Sequence, residues 1–165
     1  MDIAKAYVSG SKSPPELEQL NELVIHGYSP MGTVEGGYGT VQVEAREAVM
    51  PGRQIVVQSV RIELSSGGDY PQTTFGTISY ENMNKFVLAL EKIQLTTISR
   101  ERFSFTEVQF ELEGLKIIVF NNDRGALMWA LSADALSIHF NSLSKIAELK
   151  VLIERAKSHL DDTKI

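Results

Sequence analysis

Ile78-Ser79-Tyr80-Glu81-Asn82-Met83-Asn84-Lys85-Phe86 is echoed sixty residues later by Ile138-His139-Phe140-Asn141-Ser142-Leu143-Ser144-Lys145-Ile146. Apolar meets apolar at 78/138, 80/140, 83/143 and 86/146, again at Ile93/Ile153, and Lys85 meets Lys145, all without a gap. Each copy opens with the alternation of a strand end and continues at helical spacing. A period change repeated at one interval marks a supersecondary unit used twice. Upstream, Gly52-Arg53-Gln54-Ile55-Val56-Val57 parallels Gly114-Leu115-Lys116-Ile117-Ile118-Val119 at an offset of 62, the difference fitting a change of loop length.

Working outward through the first copy, Val41, Val43 and Ala45 alternate with Gln42, Glu44 and Arg46 in a half-buried strand that Pro51-Gly52 closes. Ile55 to Leu64 reads as a long strand ending at Ser65-Ser66-Gly67-Gly68-Asp69. Residues 73–79 form a shorter strand with Phe75 and Ile78 as core members. Tyr80 to about Gln94 is a helix with Met83, Phe86, Val87, Leu90 and Ile93 on one face.

The second copy begins with a strand over 103–112. Phe103, Phe105 and Val108 cannot share one face, so a bulge or twist is expected near 106–108. Gly114 turns the chain into the strand Leu115–Phe120, and Asn121-Asn122-Asp123-Arg124-Gly125 is a hairpin loop. Ala126 to Leu131 is apolar on both faces, with Leu127, Trp129 and Leu131 on one and Ala126, Met128 and Ala130 on the other. A short strand to Phe140 leads into a helix over about 142–160. Its main stripe is Leu143, Ile146, Leu149, Ile153, Ala156 and Leu160, and Val151 and Leu152 widen that stripe beyond what one sheet needs.

The first 39 residues read differently, as an arm. Ser13 before Pro14-Pro15-Glu16 is a helix-start signal, and Leu17, Leu20, Leu23 and Val24 follow at helical spacing, which predicts a short helix over about 14–25. Residues 27–39 carry five glycines and read as a flexible loop. The division expected is an arm over 1–39 and a domain over 40–165, with repeats at about 40–95 and 102–160.

Composition places the chain among ordinary globular proteins, at 43% hydrophobic and 22% charged residues. The net charge of −5 disfavours general binding to nucleic acid or anionic membranes. It falls unevenly: residues 1–52 hold three Lys/Arg against seven Asp/Glu, residues 53–113 six against eight, and residues 114–165 seven against six. Cysteine is absent, which excludes disulfides and thiolate chemistry within this sequence. No apolar run reaches the roughly 18–20 residues of a membrane span. The first residues lack the basic start and apolar core of a signal peptide, so a cytoplasmic location is the expectation, or an exported one if a leader was removed.

Motifs that would carry chemistry fail on detail. No Gly-Lys-Ser/Thr accompanies the glycine stretch, no apolar strand precedes it and no helix opens after it, against a phosphate cradle. Ser9-Gly10-Ser11-Lys12 and Ser142-Leu143-Ser144-Lys145 match Ser-x-x-Lys without companion motifs, and Ser142 or Asn141 stands where a helix cap is needed. His26, His139 and His159 lie far apart without metal-ligand spacing. Glu44, Glu47, Glu63, Glu107, Glu111 and Glu113 read as a solvated sheet face. No catalytic, metal or cofactor-binding residue is assigned.

Several antiparallel strands followed by a helix, twice over roughly 40–160, resemble the duplicated ββββα plan of Whirly and PC4-like single-stranded-DNA-binding proteins. The resemblance rests on element order and on the echo. The lysine-rich strand motif through which Whirly proteins hold DNA is missing here, so the resemblance implies architecture and no functional residue. The same plan, with a Ser-Tyr-Glu start to the middle helix, also resembles small bacterial proteins. The fold expected is α+β: an antiparallel sheet built from two repeats, two main helices packed on it, and an N-terminal arm with a short helix. The function expected first is a non-enzymatic protein-interaction or structural module that pairs with itself, with Leu127, Trp129, Leu131, Val151 and Leu152 at the interface. A single-stranded nucleic-acid binder comes second, and a small-ligand binder or enzyme with a pocket near the glycine stretch comes third.

Overall fold

The computed structural model describes residues 23–95 and 103–163. They form the order ββββα twice. The first unit is β1 (Ile25–Gly36), β2 (Gly39–Met50), β3 (Ile55–Ser66), β4 (Thr73–Ser79) and α1 (Met83–Gln94). The second is β5 (Glu107–Leu112), β6 (Leu115–Asn121), β7 (Leu127–Ala133), β8 (Leu136–Phe140) and α2 (Ser144–Asp162). The fold is α+β and antiparallel throughout. In place of one sheet there are two four-stranded meanders, β1-β2-β3-β4 and β5-β6-β7-β8, because each strand pairs with its neighbour in sequence.

The echo marks the core. Ile78 and Ile138, Phe86 and Ile146, and Ile93 and Ile153 are all buried. The units depart from each other at 80/140 and 83/143. Phe140 and Met83 are buried, whereas Tyr80 and Leu143 are half-buried and Tyr80 donates its hydroxyl to Asp161. One continuous cluster of buried side chains draws on both sheets and both helices. It is assembled by exchange: α2, from the second unit, rests on β1, β2 and β3 of the first sheet. In return α1 packs along α2 and meets β5, where the rings of Phe86 and Phe110 lie 6.3 Å apart. Two turn residues of the second sheet with positive φ reach across to β4. Glu113 accepts the Ser79 amide and hydroxyl, each at 2.8 Å, and Asp134 accepts the Thr74 hydroxyl at 3.3 Å.

Several expectations are corrected here. The stretch 27–39, expected as a loop within the arm, is β1 and its hairpin turn to β2, so the first unit begins near residue 25 rather than 40. Its glycines serve close approach rather than flexibility. A Cβ on Gly32 would stand 2.8 Å from the Leu152 side chain, and one on Gly39 would stand 2.4 Å from the Ser65 carbonyl oxygen and 2.7 Å from Ile138. Leu23 and Val24 lie outside any helix, and the rest of the helix expected over 14–25 falls outside the described residues. Phe75 faces outward, because a residue three positions from Ile78 on a strand points to the opposite face. No bulge forms near 106–108, since the strand starts only at Glu107. Ahead of it the Asn121 side chain takes the place of a ladder partner, accepting the Thr106 amide and donating to the Ser104 carbonyl, both at 2.8 Å.

Candidate interaction surface

Burial removes three of the five residues expected at an interface. Trp129 and Leu131 are fully enclosed on the inner face of β7. The Trp129 ring stacks on Phe140, 4.1 Å between centroids and 11° between planes, and its indole N–H donates to the Ser142 carbonyl at 2.8 Å. Leu152 is buried against Gly32 of β1, the strand that takes up the surplus width of the α2 stripe. Leu127 is half-buried at the start of β7, and Val151 remains 46% exposed on α2. The structure does not bring these five residues together.

The outward face of the second sheet is the one that β7 leaves over. Its register sets Glu107, Phe120 and Met128 in one cross-strand row and Gln109, Ile118, Ala130 and His139 in the next. A third row holds Glu111, Lys116, Ser132 and Ser137. Ile118, Phe120 and Met128 are half-buried and, with Ala130 buried among them, make a four-residue apolar centre, with His139 edge-on to Phe120 at 6.3 Å. The polar rows and ends surround it. The polar groups are unevenly spread across the face, with Glu107 and Glu111 on β5 at one edge, Lys116 opposite Glu111 on β6, and the His139 imidazole on β8 at the other edge. Both helices are engaged on the opposite side. Among the sequence signals, the two-sided apolar run 126–131 pointed to this face. Of the bulkier side chains of that run, Trp129 and Leu131 belong to the core rather than to an interface, and Leu127 lies half-buried at the strand's start.

The outward face of the first sheet has another character. Arg46 pairs with Glu44 at 2.6 Å and Arg61 with Glu63 at 3.1 Å. The Arg61 guanidinium lies 3.8 Å from the Phe75 ring centre, and that of Arg46 lies 5.4 Å from Tyr28. Each arginine thus sits between a carboxylate and an aromatic ring. The charges cancel, so the face offers no net attraction to a polyanion.

The expected carboxylates are dispersed in structural roles. Glu47 accepts from Gln58 at 2.9 Å, Glu113 holds the start of α1, and Glu107 and Glu111 stand exposed. The histidines lie on β1, β8 and α2, and among the described residues no cluster of three metal-ligating side chains occurs. Ser142 accepts the Ser144 amide at 3.2 Å ahead of α2, while Lys145 pairs with Glu148 at 3.0 Å, so Ser142-x-x-Lys145 serves the helix start. Ser9-x-x-Lys12 lies outside the described residues. Within the glycine stretch Gly32 packs on Leu152, and Gly36 and Gly39 pack on Ile138, while small clefts of about 180 and 100 Å³ open beside Gly27 and Tyr28 at its start. A cleft of about 380 Å³ opens beyond the last turn of α2, lined by Val49, Val56, Glu47, Gln58 and Tyr80. On α2, hydrogen bonding to Glu91 holds the Lys150 ammonium above its ordinary pKa, and Asp161 does the same for Lys157. Both are surface pairs: Glu91 and Lys150 join the two helices at 3.0 Å, and Lys157 and Asp161 lie one turn apart within α2. No helix among the described residues is long and apolar enough to cross a membrane. No protein-family model matches the chain, and no curated protein matches it.

Proposed function

We propose that the protein is a non-enzymatic interaction module that associates with a second copy of itself through the outward face of its second sheet. One observation carries this reading: Ile118, Phe120, Met128 and Ala130 form an apolar centre within a polar rim, on a face that neither helix occupies. An apolar centre inside a polar rim is the anatomy of a protein interface. The polar pattern favours a like partner, with carboxylate acceptors at one edge and an imidazole at the other. Two copies stacked face to face about a twofold axis parallel to the strands would set β5 of one over β8 of the other, bringing Glu107 and Glu111 opposite His139. A twofold axis across the strands would set acid against acid.

The face is small. Four strands about 4.8 Å apart, with about six residues each at about 3.3 Å, cover roughly 400 Å² per copy. A standard interface buries about 800 Å² per partner, so a face of this size belongs to the small, transient class of interface. Sedimentation equilibrium from about 5 to 500 μM tests the reading. The wild-type chain should shift from monomer toward dimer across that range, and Met128→Glu should remain monomeric with an unchanged urea midpoint. A wild-type monomer at every concentration, or a dimer indifferent to Met128→Glu, would refute it.

A further inference from the structure

The two most exposed aromatic side chains among the described residues are Tyr38 and Tyr70, at 89% and 91%. They stand at one end of the first sheet, on neighbouring hairpins: Gly36–Gly39 between β1 and β2, and Ser66–Gln72 between β3 and β4. The hairpins are joined by a hydrogen bond from the Gly67 amide to the Tyr38 carbonyl at 2.9 Å. Each is also fixed on its own account. The Gly37 amide donates to the His139 carbonyl at 3.1 Å, and the Ser66 amide donates to the Gln72 carbonyl at 2.8 Å. The Gln72 amide returns a bond to the Ser66 hydroxyl at 2.8 Å. Gly39 leaves no room for a side chain against Ser65. Tyrosines on short glycine- and serine-rich loops are the chemistry of antibody paratopes, in which a rigid ring gives contact area at low entropic cost.

The charge at this tip is one-sided. Residues 35–40 and 65–72 contain Glu35 and Asp69 and no lysine or arginine. Both carboxylates are exposed, and among the described residues neither belongs to an ion pair. The outward face of the same sheet shows what such groups accept. There Arg61 lies between Phe75 and Glu63, and Arg46 between Tyr28 and Glu44. The tip offers the ring and the carboxylate of that arrangement without the arginine.

We propose that the Tyr38–Tyr70 tip is a docking surface for an arginine-rich polypeptide segment, each tyrosine face taking a guanidinium that Glu35 or Asp69 neutralises. Arginine fits better than lysine, because its planar group stacks on a ring and meets a carboxylate in the same plane. The site is separate from the self-association face, so either can fail alone.

The experiment titrates capped hexa-arginine and hexa-lysine into the isotopically labelled full-length chain carrying Met128→Glu, and follows amide shifts by NMR. Hexa-arginine should shift residues 35–40 and 65–72 selectively, and hexa-lysine should bind more weakly at the same place. Tyr38→Ser with Tyr70→Ser should weaken hexa-arginine about tenfold. Tyr38→Phe with Tyr70→Phe should keep it, and Glu35→Gln with Asp69→Asn should weaken it and flatten its salt dependence. All four tip positions changed are exposed, and an unchanged urea midpoint for each variant checks the fold. No shift at these hairpins at millimolar peptide overturns the proposal. So does equal binding by the serine variant, which would mean diffuse attraction to the net charge alone.

Discussion

Phe86→Ala is the sharpest perturbation of the shared core. Phe86 belongs to the first unit and is fully buried, yet its ring rests 6.3 Å from Phe110 of the second. The substitution removes the whole ring from an enclosed site, and such changes cost about 3–5 kcal/mol. Domains are stable by about 5–15 kcal/mol, so the variant loses roughly a fifth or more of the total. With a urea slope near 2 kcal/mol per molar, the midpoint should fall by about 1.5–2.5 M. Trp129, the one tryptophan, reports from the second unit, where it is stacked and buried. If the two units share one core, damage in the first must move the fluorescence transition of the second. Ile146→Ala, the echoed position, should move the same single transition by about 2–5 kcal/mol. Leu88→Ala, half-exposed on the outer side of α1, should stay within about 1 kcal/mol and serves as control. A drop below about 0.5 M for Phe86→Ala, or two separate transitions of which only one responds, would show that the units do not depend on each other as described.

Two further outcomes follow from the same geometry. Gly39→Ala should destabilise by about 1–3 kcal/mol in urea unfolding, because its methyl meets the Ser65 carbonyl at 2.4 Å and backbone cannot move aside as a side chain can. A midpoint equal to wild type would mean that the hairpin is not held against β3. Single-stranded oligonucleotides should show no sub-micromolar, salt-sensitive binding in fluorescence anisotropy at physiological salt, since the net charge is −5 and the arginines of the first sheet are already paired. Tight binding that weakens steeply with salt would instead promote the nucleic-acid reading.

Most strands and both helices were legible because their period is local. Val41 to Ala45 alternates, Met83 to Ile93 repeats at helical spacing, and each pattern is complete within its own element. The units could be paired because Ile78 and Ile138, like Phe86 and Ile146, do the same job in both. What failed depended on distant partners. The glycines of β1 read as a loop because nothing local shows that Gly32 faces Leu152 or Gly39 faces Ile138, both more than ninety residues away. Leu152 read as surplus because its cover is that same misread strand. Met128 and Ala130 were recognised as a second apolar face. Choosing between that face and Trp129 and Leu131 required knowing which side the first sheet and the helices occupy. The Tyr38–Tyr70 tip left no signal at all, since residues thirty-two apart come together only through the pairing of β1, β2 and β3.

The exchange of helices also decides where function can reside. In a single ββββα unit a helix covers its own sheet, and a cleft between helix and strands can be left open for a ligand. Here the inner faces of both sheets and the apolar stripes of both helices are spent on one common core, and even the glycines are filled by side chains of the other unit. The cleft beyond α2 lies past the end of that core rather than within it. What remains are the outward faces and the hairpin tips, surfaces that suit a macromolecular partner better than a small molecule needing enclosure. The two faces and the tip differ in kind: an apolar centre on the second sheet, a charge-cancelled lattice on the first, and an acidic aromatic tip on the β1–β2 and β3–β4 hairpins. With the interior closed by both ββββα units, the recognition proposed above falls on the outside of the fold, on surfaces of three unlike kinds.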